Sequence, residues 1–141
     1  MILPIALTAA AAAAIVNLWL GIRIGQVRTR EKISIGDGGN DALIRRMRAQ
    51  ANFVEFAPFV LILIALLELA TGTSLWLWAA SALFIVARIA HAFGMDGNDK
   101  ARGAGILFTM VITLGLALYA AYIAQTSAGS ISATTEAVAV G

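Results

Sequence analysis

Four long apolar segments separated by short polar connections dominate the pattern of hydrophobic and polar residues along this chain. They cover approximately residues 2–24, 42–70, 75–93 and 104–124. Crossing the hydrocarbon core of a bilayer takes about 20 predominantly apolar residues of helix, so each segment is long enough to span a membrane. Short connections make consecutive helices antiparallel. The pattern therefore predicts an all-α membrane protein, built as an up-down bundle of four transmembrane helices.

The composition supports an integral membrane protein with a single domain. Hydrophobic residues make up 60% of the 141 residues and charged residues only 13%, whereas a soluble domain is about half apolar and about a quarter charged. Four spans leave no room for a separate soluble domain. We therefore predict a transmembrane domain over residues 1–125. Residues 126–141 are mainly small or hydroxyl-bearing and are predicted to form a flexible tail.

The basic residues indicate how the bundle is oriented. All ten Lys and Arg residues lie between Arg23 and Arg102, in or beside the first and third connections. Cytoplasmic loops carry an excess of Lys and Arg, so both termini are predicted to lie outside the cytoplasm. Charge follows the first apolar segment rather than preceding it, which favours a retained span over a cleaved signal peptide. Contact with anionic lipid headgroups accounts for the charge, and no nucleic-acid partner is predicted because the aromatic-basic pattern is missing.

Several classes of site are excluded or disfavoured by the residues present. The chain has no cysteine, which excludes disulfides, thiolate metal sites and a cysteine nucleophile. The turn Gly36–Gly39 is not followed by the Gly-Lys-Ser/Thr of a phosphate-binding loop. Asp96, Asn98 and Lys100 have the spacing of a calcium loop without its glutamate or its length, so no metal site is predicted. Asp41, which follows the glycine turn, is expected to cap the second helix.

Polar residues near the start of the second apolar segment are the first part of a candidate site. Arg48, Asn52 and Glu55 are spaced i, i+4 and i+7 and therefore share one side of a helix. Glu55 is followed by the apolar run 56–67, which places it at the edge of the hydrocarbon. An ionised carboxylate there is costly unless it is paired or faces the bundle interior. Gln50 adds a second amide nearby.

The third and fourth segments contribute more polar residues at the same membrane level. Arg88 and His91 are one helical turn apart, and Arg102 lies at the start of the fourth segment. Guanidinium groups bind carboxylates bidentately, and a carboxylate such as Glu55 complements an ammonium group. If the ligand is a thiol, a nearby arginine favours the nucleophilic thiolate.

A purely structural interpretation of the same residues stays open at this point. Glu55 could pair with Arg88 or Arg48 and stabilise only the fold or the oligomer. His91 could be a hydrogen-bonded core residue. Spacing alone does not decide between a structural ion network and a ligand site.

The run from Arg48 to Pro58 resembles a known family signature. It reads Arg-Ala-Gln-Ala-Asn-Phe-Val-Glu-Phe-Ala-Pro, and the signature of the MAPEG family, the membrane-associated proteins in eicosanoid and glutathione metabolism, reads Arg-x-x-x-Asn-x-x-Glu-Tyr-x-Pro. The resemblance covers all four segments in length and order, and extends to residues 87–94 and to Arg102. The glycine turn of the first connection is similar to that of the small bacterial branch of this family.

The resemblance implies a homotrimer of four-helix subunits that binds glutathione between neighbouring subunits at the cytoplasmic side. The residues that match or lie near glutathione-binding positions of the family are Arg28, Arg48, Gln50, Asn52 and Glu55, with Gln50 matching a position of the leukotriene C4 synthase branch. Arg88 and His91 are expected to make additional contacts. Arg102 falls where the family has an arginine that stabilises the thiolate. Two family tyrosines are replaced here, by Phe56 and Met95, and His91 stands at the position of a third.

The expected function is therefore that of a membrane-bound glutathione (thiol) transferase that conjugates lipophilic electrophiles, with peroxidase activity as a side reaction. Glutathione would be a co-substrate, and the protein would lie in a bacterial inner membrane. The alternative is a non-enzymatic membrane protein that retains the fold and a structural polar network. A small transporter is less favoured, because the chain has no repeated halves and no pair of broken helices.

Overall fold

Four long helices make up a computed structural model of the chain, which describes the backbone of residues 2–140 and the side chains of residues 2–127. The helices are α1 (Pro4–Glu31), α2 (Asp41–Thr71), α3 (Leu75–Gly94) and α4 (Asp99–Val140). Each is long and apolar enough to cross a membrane, α4 over Asp99–Ser127. The prediction of an all-helical integral membrane protein with four spans is confirmed. The predicted tail, 126–141, falls almost wholly outside the described side chains and stays a prediction.

The core of the bundle lies along the two central helices. α2 and α3 contact each other and both α1 and α4. Buried apolar side chains from all four helices form one cluster, which includes Leu20, Phe53, Ile64, Phe84 and Leu116. Many other large apolar side chains stay exposed along the helices, as expected of surfaces that contact lipid rather than water.

The helices extend beyond the predicted spans at the end of the bundle that carries the basic residues, which we call the basic end. α1 continues to Glu31 and stops at Lys32, which adopts the left-handed conformation with a φ of 56°. α4 begins at Asp99 rather than near residue 104. Hydropathy locates where a helix leaves the hydrocarbon, whereas the backbone can remain helical in the headgroup region. The third connection is therefore only residues 95–98.

Asparagine side chains begin two of the helices at the basic end. The Asn40 side chain accepts a hydrogen bond from the backbone N–H of Leu43 at 3.0 Å, so Asn40 is the N-cap of α2. The expectation that Asp41 caps this helix was wrong by one residue, and Asp41 instead places negative charge in the first turn. Asn98 accepts from the backbone N–H of Ala101 at 3.1 Å and so starts α4 close to the end of α3.

At the opposite end, a buried carboxylate joins α2 to the start of α1. Glu68 is 2% exposed, and its two oxygens accept hydrogen bonds from the backbone N–H groups of Ile5 (3.0 Å) and Ala6 (2.8 Å). The Thr73 hydroxyl donates to the same carboxylate at 3.0 Å. The first N–H groups of a helix have no partner within the helix. Glu68 therefore caps α1 from a different helix, and the apolar pattern of α2 did not predict this.

Candidate functional site

A buried guanidinium organises the polar residues of the central helices. Arg88 on α3 is 1% exposed. One of its terminal nitrogens lies 2.7 Å from Asn52 Oδ1 and 3.2 Å from His91 Nδ1, and the other donates to Thr109 Oγ1 at 3.0 Å. The Thr109 hydroxyl in turn donates to the carbonyl of Gly105 at 2.8 Å. Arg88 thus links α2, α3 and α4 through neutral acceptors, and within the described residues no carboxylate forms an ion pair with it.

A cavity of about 460 Å³ lies beside this buried cluster at the basic end. The residues that line it come from α2, from the end of α3 and from the first turns of α4: Arg48, Asn52, His91, Met95, Asp99, Arg102, Gly103 and Ile106. The cavity therefore combines two guanidinium groups, an amide, an imidazole and one carboxylate with the apolar side chains of a methionine and an isoleucine. Such a lining can bind an anionic or peptide-like group beside an apolar one.

Close packing of α3 against α4 places Arg102 at the cavity. A Cβ atom on Gly94 would lie 2.2 Å from the backbone nitrogen of Arg102, and one on Gly105 would lie 2.7 Å from the carbonyl oxygen of Ala87. Small residues let helix backbones approach in this way within membranes. The Arg102 side chain remains 48% exposed, and its terminal nitrogen lies 3.1 Å from the carboxylate of Asp99, one turn earlier. The guanidinium group therefore reaches the rim of the cavity while it forms an exposed ion pair with Asp99.

Three of the predicted site residues lie away from this cavity within the subunit. Gln50 donates to Asn17 of α1 at 3.4 Å. Arg28 contacts the carbonyl oxygens of Ile33 and Ser34, each at 3.5 Å, beside the first connection. Glu55 is exposed on the surface of α2. The pairing of Glu55 with Arg48 or Arg88 that the structural interpretation suggested does not occur within the part of the subunit that is described.

A second polar network at the basic end was not anticipated. Arg23 is 7% exposed and forms an ion pair with Asp96, and its guanidinium carbon lies 4.7 Å from the ring centroid of Trp19. Arg46 lies 3.7 Å from the other oxygen of Asp96 and donates to the backbone carbonyl of Arg23 at 2.8 Å. The network ties α1 and α2 to the connection between α3 and α4. The sequence feature that could have indicated this network is Arg23 itself, a basic residue within an apolar segment, because a buried charge requires a partner.

Thr109 and Glu68 were also missed by sequence reasoning. Thr109 is a polar residue in an apolar stretch, and only the register of α4 against α3 brings it to Arg88. Glu68 stands near the end of an apolar helix, where an acidic residue is unusual enough to have served as a signal.

Comparison with known protein families decides the classification. The model of the MAPEG family matches residues 6–122, a stretch that includes most of α1, all of α2 and α3, and α4 as far as Tyr122. The chain belongs to the MAPEG family. The resemblance inferred from the run between Arg48 and Pro58 is thereby confirmed. No curated protein matches the chain closely enough to serve as a named relative.

The signature residues of the MAPEG family lie partly inside and partly outside the cavity. In this MAPEG protein the signature residues Arg48 and Asn52 line the cavity together with His91 and Arg102. The signature residue Glu55 faces outward. One subunit therefore brings together four of the eight predicted site residues, and holds Arg88 directly behind two of them.

Proposed function

We propose that this MAPEG protein is a membrane-bound glutathione transferase that joins glutathione, or a related thiol, to lipophilic electrophiles, with peroxidase activity as a side reaction. The observation that carries the proposal is the cavity at the basic end, in which the guanidinium groups of Arg48 and Arg102 accompany an amide and an imidazole. Carboxylates and a thiolate are the groups that such donors bind most strongly. Met95 and Ile106 give the same cavity an apolar side, suited to an electrophile that arrives from the lipid.

In this proposal Arg102 stabilises the thiolate, while Arg48 and Asn52 hold the backbone and carboxylates of the tripeptide. The exposed position of Arg102 near the start of α4 suits this role, because the thiol must meet both the cation and the second substrate. Catalysis would then come from proximity and from electrostatic stabilisation of the sulfur anion. The thiol proton would pass to water at the open rim of the cavity, so no side chain is required to accept it.

The proposed assembly is a homotrimer, and the position of Glu55 supports a partner outside the subunit. Glu55 lies 13 residues before Glu68 in the sequence, which is about 20 Å along a helix. Glu68 lies near the opposite end of the bundle, where it caps α1, so Glu55 would lie at or just inside the edge of the hydrocarbon. An exposed carboxylate at that depth is costly unless another molecule covers it. A neighbouring subunit, or the ammonium group of glutathione bound beside it, would supply that cover.

Arg28 and Gln50 would reach glutathione from the neighbouring subunit. Gln50 lies two residues from Arg48, and residues with that spacing face nearly opposite sides of a helix. Its contact with Asn17 places it on the α1 side of α2, and Arg28 belongs to α1 itself. One subunit cannot therefore present all these residues to one ligand. A site shared between two subunits would let both sides of α2 contribute.

Glutathione binding tests this function without knowledge of the electrophile. We expect saturable binding to the purified protein in detergent, measured by calorimetry, and binding weaker by about tenfold or more in Arg48→Ala, because one charge-assisted bidentate contact is lost. Arg45→Ala is the matched control, since Arg45 is on the same helix one turn earlier and lines a different depression. Equal affinity in wild type and Arg48→Ala would exclude this cavity as the glutathione site.

The alternative function is a non-enzymatic membrane protein whose polar residues are structural. The observation that favours it is that two of the arginines already have partners within the subunit. Arg88 forms hydrogen bonds with three neighbours, and Arg102 forms an ion pair with Asp99. The replacement of family tyrosines by Phe56 and Met95 points in the same direction. Under this alternative Arg48→Ala would lower the stability of the oligomer in detergent, and glutathione would bind to neither protein.

We further propose that the basic end faces the cytoplasm of a bacterial inner membrane, so that both termini lie outside. Because the chain has no cysteine, single cysteines can report accessibility without a background signal. A membrane-impermeant maleimide added to intact cells is expected to label Leu75→Cys, because Leu75 is 85% exposed at the start of α3. The same reagent should leave Ser34→Cys unlabelled until the cells are lysed. The reverse labelling would contradict the proposed orientation.

A further inference from the structure

Arg88 stands directly behind two residues that line the cavity but does not line it itself. Its guanidinium bonds Asn52 at 2.7 Å and lies 3.2 Å from the ring nitrogen of His91, whereas the lining of the cavity includes both of these residues. We infer that Arg88 is a positioning residue that turns the amide of Asn52 and the imidazole of His91 so that both donate N–H groups into the cavity. This inference rests on the proposed function only for the identity of the ligand.

The orientation of the Asn52 amide follows from the chemistry of its partner. A guanidinium group has five N–H donors and no acceptor. The atom of Asn52 that faces Arg88 must therefore be its oxygen, as the distance of 2.7 Å to Oδ1 records. The Asn52 Nδ2 group is thereby left with both hydrogens for the cavity. If Arg88 were absent, the amide could rotate by half a turn and present its oxygen to the ligand instead.

The same argument fixes the tautomer of His91. Because the Arg88 nitrogen can only donate, His91 Nδ1 at 3.2 Å must present a lone pair. A neutral imidazole with a lone pair on Nδ1 carries its hydrogen on Nε2. His91 is 3% exposed as a residue, and its ring contributes to the cavity lining. The imidazole therefore offers the ligand an Nε2–H donor and no acceptor.

The guanidinium is held in place from its other side as well. Its second terminal nitrogen donates to Thr109, whose own hydrogen is committed to the carbonyl of Gly105. The Thr109 oxygen can therefore act only as an acceptor toward Arg88. Each partner of Arg88 can only accept a hydrogen bond from it, which fixes the orientation of the guanidinium group. The fixed guanidinium in turn fixes the orientations of the Asn52 amide and the His91 imidazole.

The outcome is a cavity wall that consists almost entirely of donors. Arg48, Asn52, His91 and Arg102 all donate, and the one carboxylate in the lining, Asp99, already pairs with Arg102. Such a wall selects a ligand rich in acceptors, which means carboxylates, peptide carbonyls or a thiolate. It disfavours a cationic ligand or one that must donate to this side, because a buried N–H without an acceptor is costly.

The tautomer can be measured directly because His91 is the only histidine of the chain. Protein labelled with ¹⁵N-histidine gives the nuclear magnetic resonance signals of a single imidazole, with no assignment step. In the wild type at neutral pH we expect an unprotonated Nδ1 and a protonated Nε2. Arg88→Met should convert this to a mixture of tautomers. Arg23→Met is the matched control, since Arg23 is also buried but bonds Asp96 rather than His91, and it should leave the imidazole signals unchanged.

An Nδ1–H tautomer or an imidazolium in the wild type would overturn the inference, and so would an unaltered His91 spectrum in Arg88→Met. If Arg88→Met does not fold, Arg88→Lys provides the second variant. A single ammonium nitrogen keeps the charge but cannot contact Asn52, His91 and Thr109 together, so the imidazole signals should still change. The wild-type spectrum alone already decides the tautomer.

Addition of glutathione separates this inference from the proposed function. We expect the Nε2 signal to shift on titration and glutathione to bind about tenfold more weakly to His91→Phe. If the wild-type tautomer is as inferred but glutathione binds nowhere, the positioning role of Arg88 stands and the glutathione proposal fails. If glutathione binds by calorimetry and the Nε2 signal does not move, the inferred donation from His91 to the ligand is wrong.

Discussion

Arg102→Ala is expected to lower the turnover of glutathione conjugation by about 100-fold or more while changing glutathione affinity only a few-fold. Removing one preorganised group that stabilises developing or full negative charge typically costs about 100- to 1,000-fold in rate. Arg102 is half-exposed at the rim of the cavity, where it would contact the sulfur rather than the rest of the tripeptide. The check is a comparison of steady-state rates with a lipophilic aryl halide and of calorimetric affinities for glutathione.

Two further variants make the Arg102 result interpretable. Lys100→Ala removes a neighbouring cation that does not line the cavity, and its turnover should match the wild type. Arg102→Lys should retain part of the rate because it keeps the charge. The loss in Arg102→Ala should also diminish at higher pH, since the thiolate then forms without the help of a cation. Equal turnover of Arg102→Ala and wild type, in a preparation shown to be active, would remove Arg102 from the mechanism.

Glu68→Ala is expected to cause a large loss of stability without any effect on the cavity. Glu68 is buried and accepts two backbone N–H groups at the start of α1. Loss of an N-cap costs about 1 kcal/mol, and donors left unpaired in an apolar environment add about 1–3 kcal/mol. The free energy of unfolding should therefore fall by about 2 kcal/mol or more, seen as a lower midpoint of thermal unfolding in detergent. Glutathione affinity should be unaffected, because Glu68 lies at the far end of the bundle from the cavity.

The controls for Glu68 separate its hydrogen bonds from its charge. Glu68→Gln keeps one oxygen acceptor, so its effect should lie between those of wild type and alanine. Glu31→Ala removes an exposed carboxylate whose one ion pair among residues 2–127 is with its neighbour Arg30, and exposed pairs contribute little to stability. A melting midpoint for Glu68→Ala equal to that of Glu31→Ala would show that the cap contributes nothing to the fold.

The ends of the helices could be predicted from the sequence where they coincide with the edges of the hydrocarbon. The bounds of α2 and α3 agree closely with the predicted spans 42–70 and 75–93, because sharp turns follow the apolar residues directly. α1 and α4 are longer than predicted at the basic end, where polar residues such as Arg28 continue the helix outside the hydrocarbon. The apolar pattern indicates which residues lie in the hydrocarbon, but it does not limit the helix, because the backbone can stay helical beyond those residues.

The part of the candidate site that lies on a single helix could be predicted from the sequence. The contacts between residues of different helices could not. Helical spacing correctly grouped Arg48 with Asn52, which both line the cavity. It also grouped Glu55 with them, and Glu55 is only about 20° around the helix from Arg48. Glu55 nevertheless lies about 10 Å further along α2 than Arg48, where it is exposed and does not line the cavity. The bonds of Arg88 to Asn52 and Thr109 depend on the register between helices. A hydrophobic pattern carries no information about that register.

The measurement that tests the central claim most directly is native mass spectrometry of the detergent-solubilised protein with and without millimolar glutathione. It reports the number of subunits and the number of bound ligands in the same spectrum. We predict a trimer that takes up one glutathione per subunit, and an Arg48→Ala trimer that takes up clearly fewer at the same concentration. A wild-type protein that remains free of glutathione, whether as monomer or trimer, would contradict the proposed function and favour a structural role for the polar residues.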